Sequence, residues 1–254
     1  MISLGKKHGC ITYPHPEIAP LVKRRQFECL SIRQADYAKL KNMENFRAFH
    51  LIRDPRDIIV SAYFSHRYSH ETTNWQELQE HRQQLNSVSQ EEGLLLEMEF
   101  GVTRCTLEAL QNWQYSNAHI LELKFEQFII DPVQTFINIF SFFEVLDKKS
   151  AKTKRNFNWL NYYNKVIYSY RLLRPLKIPL AKIKPQYLKQ IVKKYSFENM
   201  TGGRQRGQED IKNHYRKGVP NDWTNYFTDL HKHYFKENYP NLLLKTGYER
   251  DGNW

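Results

Sequence analysis

The 254-residue sequence contains no uncharged apolar run of the roughly 20 residues that a membrane span needs, and its mean hydropathy is -0.71. A transmembrane helix is therefore not expected, and the chain reads as soluble. Cysteine is scarce. Cys10, Cys29 and Cys105 lie far apart and match no metal-type or redox-type spacing, so free thiols in a reducing compartment are expected. The residues after Met1, Ile-Ser-Leu-Gly-Lys-Lys, lack the charged region and apolar stretch of a secretory signal, which makes the cytoplasm the expected location. Acid is short as well: 27 Asp and Glu face 38 Lys and Arg, giving a net charge of +11. An anionic partner follows, but charge alone does not separate a nucleotide from a nucleic acid, a membrane surface or an acidic sugar. No internal repeat is visible.

Apolar residues make up 41% of the chain and aromatics 14%, enough for one sizeable core, and the reading is a single domain over residues 1–254. Residues 46–52, Phe-Arg-Ala-Phe-His-Leu-Ile, have the character of a buried strand that runs into Arg53-Asp54-Pro55-Arg56-Asp57. Beyond them Ile58, Ile59, Ala62 and Tyr63 recur at helical spacing. Pro55 suits the helix entry and Asp57 the positive end of the helix dipole. A second unit repeats the order: residues 119–125 as a strand, Asp131-Pro132 as a helix start, and Phe136, Ile139, Phe140 and Phe143 as an apolar helix face. Alternating strands and helices predict an α/β fold with a parallel sheet flanked by helices. Residues 75–118 read as mainly helical, 185–195 as a helix, and 229–247 as a final helical stretch. Gly202-Gly203-Arg204-Gln205-Arg206-Gly207 reads as a mobile loop. Residues 151–184 carry nine Lys or Arg among tyrosines and a tryptophan and no acid, an insertion-like segment of strong bias.

A strand that delivers an arginine at its carboxyl end, followed by a helix with a serine in its first turns, is a sound phosphate site in an open parallel sheet. Arg53 can grip phosphate through two donors, and Ser61 can add one directed bond. The stretch from Arg53 to Ser61 resembles the signature with which sulfotransferases bind the 3′-phosphate of 3′-phosphoadenosine 5′-phosphosulfate. A second block, Phe197-Glu198-Asn199-Met200 followed by Arg216-Lys217-Gly218-Val219-Pro220-Asn221-Asp222-Trp223, matches the same family in the same order. A third match is Lys124-Phe125-Glu126, where Phe125 takes the place of the family's tyrosine and keeps the ring for stacking on adenine but not the hydroxyl.

The resemblance implies a P-loop-NTPase-like sulfotransferase fold, with Arg53, Ser61, Phe125, Phe197, Arg216, Lys217 and Gly218 holding the nucleotide. It implies 3′-phosphoadenosine 5′-phosphosulfate as sulfuryl donor and a small-molecule, glycan or lipid acceptor. Nothing in the pattern requires a metal or a specific nucleic acid, and no C-terminal dimer motif of cytosolic relatives is found. The family's N-terminal Lys-Ser-Gly-Thr-Thr-type loop, which cradles the 5′-phosphosulfate and supplies a catalytic lysine, has no convincing copy. The nearest candidate, residues 6–12, has a lysine, a glycine and a threonine at other spacing, and Tyr13-Pro14-His15-Pro16 opposes a capping helix there. Counting back from Arg53 puts Ser31 at the position of the family's base; His15, His50, His66 and His70 are the alternatives. The short run before Arg53 favours a chain that begins inside a longer reading frame over a diverged, catalytically impaired homologue. A basic nucleic-acid or membrane-surface binder is the remaining reading, carried by residues 151–184.

Overall fold

Short strands alternating with helices are what the computed structural model displays over the residues it describes, 10–13, 29–32, 37–40, 46–146 and 184–254. The backbone divides into two compact units, one of residues 1–48 and 136–189, the other of residues 49–135 and 190–254. Among the described residues no helix is long and apolar enough to cross a membrane. The basic segment from 151 to 183 lies outside them.

In the first unit β1 (Cys10–Tyr13) and β2 (Cys29–Ile32) form a parallel pair. Their register sets Cys10 opposite Cys29 and Thr12 opposite Ser31, a proximity that sequence spacing did not suggest. A short helix, α1 (Tyr37–Leu40), follows and buries Leu40. Phe136, Ile137 and Phe140 pack with Val145, Leu146, Tyr187 and Leu188 into a small apolar cluster. Arg47 fastens the chain here by donating to the carbonyl of Phe142 and pairing with Glu144 at 2.8 Å.

The second unit holds the larger core. Strands β3 (Ala48–Ile52) and β4 (Ile120–Lys124) form a two-stranded sheet. Charge ends β3, and the helix α2 (Pro55–Phe64) starts at once, with Pro55 in its first turn and the Asp54 carboxylate capping the Arg56 amide at 2.9 Å. A π-helical turn (Ser65–Ser69) closes α2. Three helices follow: α3 (Gln76–Ser87), α4 (Gln90–Glu99) and α5 (Gly101–Asn112). A Ser89/Glu92 capping box satisfies the free amides at the start of α4. Beyond β4 come α6 (Phe125–Ile130), then α7 (Pro132–Phe142) and α8 (Pro185–Lys194), each of which is divided between the two units, and α9 (Phe197–Met200).

The stretch expected to be one final helix is two, α10 (Asp229–Asn238) and α11 (Leu242–Lys245). Pro240 cannot continue a helix, and Asn241 takes the left-handed conformation at φ 63°. Ile59, Tyr63, Leu94, Met98, Leu107, Phe235 and Leu242 form the centre of this core. Gly93 lets α4 close on α2, because a Cβ there would lie 2.7 Å from the Tyr63 ring. Burying seven such side chains at about 1.5 to 3 kcal/mol each provides the rigid base from which α2 presents its charged entry.

Candidate functional site

The charged run at the end of β3 divides into groups that are spoken for and one that is not. Arg56 is buried against Asp54 through two bonds at 2.8 and 3.0 Å and against Glu249 at 2.6 Å. Its guanidinium also lies 3.8 Å from the Trp223 ring and 4.7 Å from that of Trp254. Asp57, fully buried, accepts the amides of Asn221 at 2.7 Å and Trp223 at 2.9 Å. Burial pushes its carboxyl up, and Arg53 and the two amides offset part of that rise. The helix dipole was its expected partner; its bonds instead tie the start of α2 to the distant segment after Gly218.

Arg53 is the exception. Its nearest carboxylate oxygen, on Asp57, is 3.8 Å away, too far for a hydrogen bond, and its Nε is buried with no partner among the described residues. The guanidinium lies over the Phe125 ring at 5.3 Å. Glu126 steadies this junction, accepting the Asp54 amide at 3.0 Å and the Tyr248 hydroxyl at 2.7 Å. The third of the sequence matches is therefore in contact with the first. Ser61 lies half-buried two helical turns into α2, with no side-chain bond to the other candidates.

The second block is organised by a carboxylate that the motif reading did not single out. Asp222, 3% exposed, accepts bonds from Arg216, from Lys217 at 2.6 Å and from Asn225 at 2.9 Å. Burial would raise its pKa, but Lys217 and Arg216 outweigh that and hold it below the usual carboxylate range. The same pairing raises Lys217. Arg216 also bonds Glu209 and, at 3.1 Å, the Tyr226 hydroxyl, and its guanidinium stacks 4.2 Å from the Phe64 ring. Phe64 is three residues beyond Ser61 and so on the same side of α2, which sets Arg216 beside the serine's helix face.

Gly218 and Phe197 meet directly. Gly218 has φ 69°, and a Cβ there would come within 2.6 Å of the Phe197 ring. The guanidinium groups of Arg204 and Arg206 lie 5.5 and 5.7 Å from that ring. The glycine-rich loop, expected to be mobile, is non-helical but bound to its neighbours. Gly207 donates to the Lys217 carbonyl at 2.9 Å, Arg204 to the Arg216 carbonyl at 2.9 Å, and Arg206 to the Gly218 carbonyl at 3.0 Å.

The structure thus joins Arg53 with Phe125 and Phe197 with Gly218, gathers Arg216 and Lys217 on Asp222, and links the two blocks through Asp57. Of the candidate bases, His50 pairs with Glu122 at 2.8 Å beneath Trp113, and His66 is buried on Glu97 at 2.9 Å. His70 is half-buried beside Trp75, and burial lowers its pKa. His15 and residues 6–9 of the nearest phosphosulfate-loop candidate lie outside the described residues. Glu209, and the anchoring roles of Asp57 and Asp222, escaped sequence reading because no local spacing distinguishes an acid that holds a cation or an amide from a solvated one.

No protein-family model matches the chain, and no curated protein matches its sequence. Among solved structures, the crystal structure of mouse sulfotransferase SULT7A1 complexed with PAP is similar over 95% of this chain and 78% of that one, with a TM-score of 0.50 and 14% identity. At that identity the likeness shows the fold: this chain has an α/β fold similar to that of a sulfotransferase.

Proposed function

We propose that the chain is a sulfotransferase that binds 3′-phosphoadenosine 5′-phosphosulfate through Arg53, Ser61, Phe125, Phe197, Arg216, Lys217 and Gly218. The observation that carries the reading is Arg53. A buried guanidinium nitrogen with no partner is costly, and the neighbouring arginine of the same run is fully paired, so Arg53 is poised for an anion from outside. The mouse neighbour, complexed with PAP, is consistent with a nucleotide of this class.

Arg216 and Lys217 supply the second half. Asp222 fixes both from beneath. The Glu209 side chain, 33% exposed against 2% for Asp222, is the carboxylate that an entering phosphate can displace from Arg216. Phe125 and Phe197 offer ring faces to the adenine, and Gly218 gives the backbone its close approach to Phe197. The nucleotide supplies the activated sulfuryl group when bound. Transfer breaks its bond to phosphate oxygen and makes one to a hydroxyl or amine of a small-molecule, glycan or lipid acceptor, whose proton passes to a base. The chain's cations stabilise charge growing on the leaving phosphate, as in phosphoryl transfer.

Calorimetric titration with adenosine 3′,5′-bisphosphate at moderate salt tests the reading. Saturable one-to-one binding that Arg53→Ala removes is expected. Unchanged affinity in that variant, or no binding by the folded chain, overturns the assignment.

A further inference from the structure

Outside the residues assigned to nucleotide, two imidazoles and a carboxylate converge in the buried interior. His66 lies on the π-helical turn after α2, His81 on α3 and Glu97 on α4, with exposures of 6%, 5% and 0%. His66 Nδ1 is 2.9 Å from Glu97 Oε1, and His81 Nε2 is 2.9 Å from Glu97 Oε2. The three donor atoms all lie within 4.8 Å of one another. We propose that His66, His81 and Glu97 bind one divalent transition-metal ion, with zinc the best fit.

The donor set is the first reason. Two imidazole nitrogens and one carboxylate oxygen suit zinc and its neighbours, whereas calcium and magnesium take oxygen ligands. Bonds of about 2.1 Å in tetrahedral geometry put ligand atoms about 3.4 Å apart, so moving each donor by less than about 1 Å closes the site. Charge is the second reason. Glu97 is fully buried, and a cation held between it and the two imidazoles would neutralise a carboxylate that sits in a low-dielectric interior. An ion entering between the three takes the ring nitrogens that now face the carboxylate, so each imidazole keeps one proton on its other nitrogen, any second proton passes to solvent, and Zn2+ with one carboxylate leaves the cluster at +1.

The surroundings are built as a ligand shell is. Thr103 donates to Glu97 Oε1 at 2.5 Å and orients the carboxylate. Arg82 holds the His66 carbonyl at 2.6 Å, fixing the turn that carries the imidazole. Phe100 stacks flat on His81 at 4.0 Å and edge-on to His66 at 5.2 Å, setting both ring planes. The three residues leave one coordination position of a tetrahedral ion to a further ligand.

The full chain, prepared without a histidine tag and stripped with chelator, is titrated with Zn2+ by calorimetry and with Co2+ by visible absorption. One equivalent is expected, with the strong ligand-field bands of a four- or five-coordinate cobalt ion. X-ray absorption on the zinc-loaded wild-type chain should show nitrogen and oxygen neighbours, including two imidazoles, and no sulfur. Folded His81→Gln and Glu97→Gln chains should lose stoichiometric uptake, while His233→Gln, at an exposed histidine paired with Glu237, keeps it. No saturable uptake by the folded wild-type chain overturns the proposal, as does uptake that survives in His81→Gln or Glu97→Gln. A sulfur-containing shell also overturns it, moving the ion to thiols such as Cys10 and Cys29. If the substituted chains do not fold, the wild-type absorption spectrum decides alone.

Discussion

Arg53 and Arg56 stand three residues apart in one charged run, yet the side chain of Arg56 is 3% exposed with two carboxylate partners and that of Arg53 is 24% exposed with none in hydrogen-bonding range. Removing Arg56 leaves Asp54 buried and unpaired, so Arg56→Ala should cost about 3 to 5 kcal/mol of stability. Arg53→Ala removes no hydrogen bond but takes the nearest counter-charge from buried Asp57, so it should cost about 1 to 2 kcal/mol, less than Arg56→Ala, while destroying nucleotide binding. Urea denaturation of the two variants separates the roles, and equal destabilisation would make both arginines structural. The same logic gives Asp222 a pH dependence. Its folded pKa lies below the ordinary value of 3.8, because Arg216 and Lys217 outweigh burial. Its contribution to stability is therefore fully present above that value and is lost as pH falls through the lower folded one. Asp222→Asn should be well below wild type in stability at pH 7, with the difference narrowing below 3.8; a difference constant with pH would show that the pairing is not ionic.

At the scale of elements, the strand-loop-helix order around residues 46–64 was legible because the strand is a short apolar run stopped by charge, whereas in 119–142 the strand and the helix from Pro132 were legible but α6, which begins at Phe125 where the strand was expected to end, was not. The break between α10 and α11 was legible in principle too, since Pro240 marks it, but the apolar spacing of Leu230, Tyr234 and Phe235 carries the eye past. What local pattern does not contain is the link from α2 to the segment after Gly218. Asp57 and Asn221 are 164 residues apart, and only the fold brings the carboxylate under the two amides. That link is what brings the two sequence motifs together in the second unit. Asp57→Asn keeps the size of the side chain but can accept fewer bonds and has no charge, so the 221–223 amides are held less firmly. Nucleotide affinity should fall although residue 57 touches no ligand, and stability should drop by about 1 to 3 kcal/mol. Binding by Asp57→Asn equal to wild type would show that Arg216 and Lys217 are positioned without it.

At the scale of the whole molecule, a net charge of +11 invites a polyanion, but its distribution in the second unit argues otherwise. There the cations nearest the proposed site are committed: Arg56 to Asp54 and Glu249, Arg216 to Asp222 and Glu209, Lys217 to Asp222, and Arg204 and Arg206 to backbone carbonyls. A surface that binds nucleic acid through many phosphates loses about 10³ to 10⁵ in affinity between 50 and 200 mM salt, because each contact releases counterions. A site with Arg53 outside hydrogen-bond range of any carboxylate and Arg216 and Lys217 shared holds two or three phosphate contacts, so on the same slope its affinity for adenosine 3′,5′-bisphosphate should fall by about 10- to 40-fold over that range. Single-stranded oligonucleotide, titrated in parallel, should bind with a steeper salt slope and be indifferent to Arg53→Ala. The opposite pattern, a nucleotide affinity that collapses with salt and ignores Arg53, would assign the positive charge to a diffuse polyanion surface, because a small nucleotide held by a few fixed donors cannot release that many ions.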